Sequence, residues 1–163
     1  MGQNQKMPGI KNSNPLTGIA TALFFLLWVF TLYSYFNSPD TVPSHFNAAG
    51  KPDGYSGKSA GLWFAGIASF IFVILTVVRT KTRSFNYPVT ITESNRERQY
   101  ELASRFISGL NIVCMALFLY IAVAGHLVAS NKINGLGNWF LPVVITLFAG
   151  STFLFLFRSF KKA

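Results

Sequence analysis

Four stretches without a single Asp, Glu, Lys or Arg, at residues 16–36, 61–78, 106–129 and 139–157, constrain this chain more than any other feature. At 1.5 Å per helical residue, about 20 apolar residues cross a hydrocarbon core of roughly 30 Å, and only helices or closed barrels satisfy their backbone there. The expected fold is therefore an all-α integral membrane protein: a polar tail at residues 1–15, then one four-span domain over residues 16–163. The composition agrees, with 51% hydrophobic residues and only 12% charged. The first run is longer than a signal-peptide core and no small-residue cleavage site comes after it, so it is expected to stay as an anchor.

A net charge of +9 would suggest nucleic-acid binding in a soluble protein, so the placement of the charges decides its meaning. All but three of the 14 Lys and Arg side chains fall on one side of the four spans: Lys6 and Lys11, then Arg79, Lys81, Arg83, Arg96, Arg98 and Arg105, then Arg158, Lys161 and Lys162. Lys51, Lys58 and Lys132 fall on the other. The positive-inside rule predicts that both termini and the basic loop at 79–105 are cytoplasmic, and that the loop at 37–60 is outside. The charge then reads as orientation and contact with anionic lipid rather than nucleic-acid binding.

Local signals refine the connections. Ser94 with Glu97 three residues later predicts a capping box, opening one long helix near Asn95 that continues into the third span. Glu101 and Arg105 sit four apart with the acid first, a favourable helical pair. Residues 87–92, with Pro88 and β-branched neighbours, predict an extended connector. Gly135 and Gly137 mark a turn, and Pro142 sits in the first turn of the fourth span, where its missing N–H does least harm. The lone Cys114 lies in an apolar run and reads as a packing residue.

The loop at 37–60 carries most of the side chains capable of specific recognition: Pro43, His45, Asn47, Gly50, Asp53, Gly54, Tyr55 and Lys58. Pro52-Asp53-Gly54 is a turn signal. Asn47 and Asp53 read as turn caps, and equally as groups that a ligand would meet. Within the spans the one ionisable residue other than Cys and Tyr is His126, near the outer end of the third. His45, Asp53 and His126 could approach one another as a weak metal or pH-sensing group, or His126 could bond a neighbouring backbone group or a Ser at the interface while His45 shapes its own loop. No metal or other cofactor is expected. Small-residue pairs, Gly61 with Ala65 and Gly125 with Ala129, predict close helix approach beneath the loop.

The stretch Pro43-Ser-His45-Phe-Asn47-Ala-Ala-Gly50-Lys-Pro-Asp53-Gly54-Tyr55-Ser-Gly-Lys58, just after a first membrane helix, resembles the extracytoplasmic signature of a large bacterial membrane family of unknown function. That domain also forms the N-terminal half of SdpI-type immunity proteins. The segment at 87–95, with Arg98-Gln99-Tyr100 behind it, is similar to the segment after the second span in four-helix members of that family. The resemblance implies a multi-pass protein of the bacterial cytoplasmic membrane. SdpI-type proteins protect against a secreted antimicrobial peptide and take part in signalling; the resemblance covers most of residues 16–129 and does not extend to their second membrane half.

Pumps and transporters generally need ionisable groups within the membrane, and hydrolases need a nucleophile with a base or paired carboxylates. Neither pattern is present, so the expectation is a non-enzymatic protein. One reading is SdpI-like immunity or envelope sensing, with an extracytoplasmic peptide as ligand and a cytoplasmic protein as partner of the basic loop. The alternative is a small accessory or assembly subunit of a membrane complex, with the loop as a clasp.

Overall fold

A computed structural model describes residues 15–161; all but the last residue of the expected tail at 1–15, with Lys6 and Lys11, and Lys162 lie outside the described residues. Four helices result, α1 (Pro15–Asn37), α2 (Ala60–Val78), α3 (Arg96–Ala129) and α4 (Phe140–Phe160), each long and apolar enough to cross a membrane. Helix is the form these runs must take in lipid, because every backbone N–H then finds its acceptor within the segment. At 34 residues, α3 is roughly 50 Å long, so its polar start projects beyond any bilayer core that its apolar part spans.

α3 is the central post, packing against α1, α2 and α4. Leu27, Ala68 and Met115, one each from α1, α2 and α3, are fully buried and form the core. Phe24 and Phe72 stack beside them with ring centroids 4.5 Å apart. Polar side chains tie the same helices together: Trp28 Nε1 donates to Ser69 Oγ at 3.0 Å, and Asn111 Nδ2 donates to Thr76 Oγ1 at 3.1 Å. The large apolar residues left over point outward, among them Phe25, Phe70, Phe153 and Phe157, as a lipid-facing surface requires.

Two short strands interrupt the helical pattern. β1 (Thr41–Phe46) and β2 (Pro52–Gly57) pair antiparallel between α1 and α2. The Pro52-Asp53-Gly54 signal is thus not the turn; it opens β2. The turn lies at 47–51, where Asn47 Oδ1 accepts the amides of Ala49 and Lys51 at 3.0 and 3.1 Å and Gly50 takes φ +72°. An Asx-type side chain that satisfies two loop amides outcompetes a Pro-Asp-Gly sequence. Pro52 is tolerated as the first residue of its strand, where no ladder N–H is needed.

The start of α3 also differs from expectation. Its N-cap is Asn95, without a side-chain bond to the helix, and no capping box forms. Asn95 instead reaches back, its Oδ1 accepting from Thr92 N at 2.9 Å and its Nδ2 donating to Thr90 O at 3.0 Å. Ser94 Oγ bonds Thr92 Oγ1 at 2.9 Å. The buried Asn95 closes the preceding turn, leaving Ser94 no part in capping. The connector at 87–92 has neither helix nor strand, and a 3-10 turn, Thr82–Ser84, precedes it.

Candidate functional site: the hairpin and the cavity beneath it

The hairpin is held at three points. At its base, the amide of Lys58 donates to Asp40 O at 3.0 Å, and Lys58 Nζ pairs with Asp40 Oδ1 at 3.0 Å. Lys58 also lies 5.7 Å above the Tyr35 ring. At its tip, Leu136 N donates to Gly50 O at 2.7 Å, and Tyr120 Oη donates to Leu136 O at 2.8 Å. Along its length, β1 packs against α3. The tip thereby docks on the connection between α3 and α4.

Alternation along β1 then sorts the side chains. Pro43 pairs with Tyr55 and His45 with Gly54, with a register irregularity between them. Gly54 belongs there because a Cβ would come within 3.1 Å of the His45 Cβ. His45 faces away from the bundle, its side chain 71% exposed, and its Nδ1 lies 2.5 Å from Asp53 Oδ1. Tyr55 is exposed. Asp53 therefore acts on His45 rather than capping a turn, whereas Asn47 does cap one.

On the opposite side a cavity of about 120 Å³ lies between the hairpin and the helix ends, lined by residues of α1, β1, α2 and α3 together with Ser38 and Lys58. His126 belongs to this cavity. Its Nδ1 meets Ser38 Oγ at 2.8 Å and Ser34 Oγ at 3.2 Å, and the two serines bond each other at 3.0 Å. The structure therefore does not bring His126 to His45 and Asp53, and among the described residues no three His, Cys, Asp or Glu side chains group to hold a metal ion. A serine partner for His126 was expected from the sequence, but Ser34 and Ser38 were not singled out; Ser34 lies in the last turn of α1 and Ser38 directly after it, where the Ser38 amide still donates to Ser34 O at 2.8 Å.

At the other end of the bundle the basic residues do not form one uniform face. Arg79 is buried. Arg96 pairs with Glu93 at 2.9 Å and Arg105 with Glu101 at 2.6 Å. Arg98 donates to the carbonyls of Arg158 and Ser159 at 2.9 and 3.3 Å, which places a cation where the last carbonyls of α4 need donors. Lys81 and Arg83 are exposed. The Tyr87 hydroxyl donates to Thr82 O at 2.9 Å, and burial pushes its pKa up to about 12.

The fold and site together define a multi-pass helical membrane protein capped at one end by a docked β-hairpin. Residues 22–70, which run from α1 through the hairpin into α2, match the model of a family described as a domain of unknown function (DUF1648). The chain is also similar to an uncharacterized protein of Archaeoglobus fulgidus, 34% identical over 77 residues that make up 43% of this chain and 42% of the relative. It thus spans less than half of that relative's length. No solved structure matches.

Proposed function

We propose that this is a non-enzymatic protein of a prokaryotic cytoplasmic membrane that recognises an extracytoplasmic peptide through its hairpin, in SdpI-like immunity or envelope sensing. In this reading the termini and the basic segment at 79–105 are cytoplasmic, and Lys81 and Arg83 are the cations free to meet a cytoplasmic partner or anionic lipid. One observation carries the proposal: the hairpin is tied to the bundle by Lys58 over Tyr35 and by its tip at Leu136, yet its His45–Asp53 pair remains exposed. A hairpin serving only as a clasp has no need of a hydrogen-bonded imidazole and carboxylate on its free face, whereas a preorganised recognition surface does. Tyr55, exposed on the neighbouring strand, adds the kind of amphipathic ring that contact sites favour.

The test is survival of a deletion strain in spent medium from dense sibling cultures. Complementation uses wild type, His45→Ala or Asp53→Ala at matched membrane levels. Protection by wild type and not by the variants supports the reading. If deletion leaves survival unchanged, the immunity reading fails, and co-purifying membrane partners become the object of search.

A further inference from the structure

The cavity beneath the hairpin has the size and the chemistry of a ligand site in its own right. At about 120 Å³ it approaches the roughly 150 Å³ that admits benzene in an apolar protein interior. Tyr35, Phe46 and Phe64 contribute aromatic wall, and Ser34, Ser38 and His126 contribute hydrogen-bonding atoms. Gly61 and Gly125 also line it, and a Cβ built on either meets nothing within 4 Å. There is open space at both glycines, so the close helix approach expected at these small residues does not occur there.

The serine–histidine trio can accept a further hydrogen bond. Its three contacts occupy at most three of the four serine lone pairs, whichever ring nitrogen of His126 carries the proton. At least one serine oxygen stays open to an incoming O–H. The Lys58 ammonium in the same wall already has Asp40 as counter-charge, so the site favours an uncharged group over an anion.

We propose that this cavity binds a single phenol-like ring, an uncharged aromatic group bearing a hydroxyl, as a tyrosine side chain of an extracytoplasmic peptide would present. The aromatic walls take the ring and the Ser34–Ser38–His126 trio takes the hydroxyl. This deepens the recognition reading and rests on it only for the source of the ring. Occupancy is measured on purified protein, so its failure is distinguishable from failure of the survival test.

The experiment exploits the chain's two histidines, one in the cavity and one on the free face. Full-length protein with isotopically labelled imidazoles, in lipid nanodiscs, is titrated with p-cresol and with toluene. The expected result is a saturable shift of the His126 ring signals with those of His45 unmoved, and binding of toluene about tenfold weaker for want of the hydroxyl. Ser38→Ala should narrow the difference between the two probes. Gly125→Ile, which fills the cavity, should abolish the response, with Gly61→Ile as a second filled variant should the first fail to fold. Equal affinity for both probes overturns the hydroxyl assignment. A response that does not saturate, or that survives in a folded cavity-filled variant, overturns the site.

Discussion

The carbonyl of Gly50 at the hairpin tip accepts the amide of Leu136 at 2.7 Å, and this bond holds together two connections more than eighty residues apart in the chain. Tyr120 supports it from α3 through its bond to the Leu136 carbonyl. Gly50 sits at φ +72°, and a Cβ there would lie 2.5 Å from Gly137 O. Gly50→Ala is therefore expected to undock the tip and to cost about 2 kcal/mol from the left-handed backbone, with the clash added. Limited proteolysis should cut within 47–51 at lower protease concentration than in wild type, while helix content by circular dichroism stays unchanged.

The His45–Asp53 pair should behave oppositely. Both groups are substantially exposed, so screening and side-chain entropy leave such a pair contributing well under about 1 kcal/mol. His45→Ala and Asp53→Ala are expected to leave the thermal midpoint in detergent within experimental error while impairing protection in the survival assay. A large drop in midpoint would assign the pair to stability and remove the observation on which the proposed function rests.

Gln99 offers a contrast at the opposite end. Its side chain is fully buried, its Nε2 donates to Ser159 O at 3.1 Å, and its Oε1 has no partner. Arg98 donates to the same carbonyl, so the acceptor does not go unmet if Gln99 is replaced. Gln99→Met keeps the volume and removes an orphaned oxygen, and should cost less than about 1 kcal/mol; Gln99→Ala opens a cavity and should cost about 2 kcal/mol. Comparing the two thermal midpoints measures packing separately from hydrogen bonding.

Tyr87 makes stability sensitive to alkali. Its folded pKa of about 12 stands above the ordinary value of 10.0, first because burial disfavours the phenolate. The folded state holds the phenolic proton more tightly than the unfolded state does. The resulting stabilisation is complete below pH 10 and is lost as pH rises towards 12. Tyr87→Phe should flatten the fall in thermal midpoint across that window, and tyrosinate absorbance should lose one late-titrating group.

The four spans were legible in the sequence because a charge-free run is a local property: burying the backbone in lipid dictates helix whatever the neighbours do. The long third helix, continuous from beyond the membrane into its apolar part, followed from the same local reading, since no proline interrupts residues 96–129. What decided the rest was competition among groups that local sequence does not rank. Asn47 won the hairpin turn by satisfying two amides, which moved Pro52-Asp53-Gly54 into a strand and placed Asp53 opposite His45. Asn95 turned back to Thr90 and Thr92, leaving the Ser94–Glu97 capping box unformed. His126 was visible as an isolated imidazole, but its partners lie about ninety residues earlier, Ser34 in the last turn of α1 and Ser38 just beyond it, and only the packing of α1 against α3 brings them together. Hydrophobicity along the chain thus determined how many times it can cross a membrane. Which polar atoms meet at the helix ends, and so which surface is free to recognise anything, was settled only when the hairpin docked, because those hydrogen bonds form between segments that have no local reason to meet.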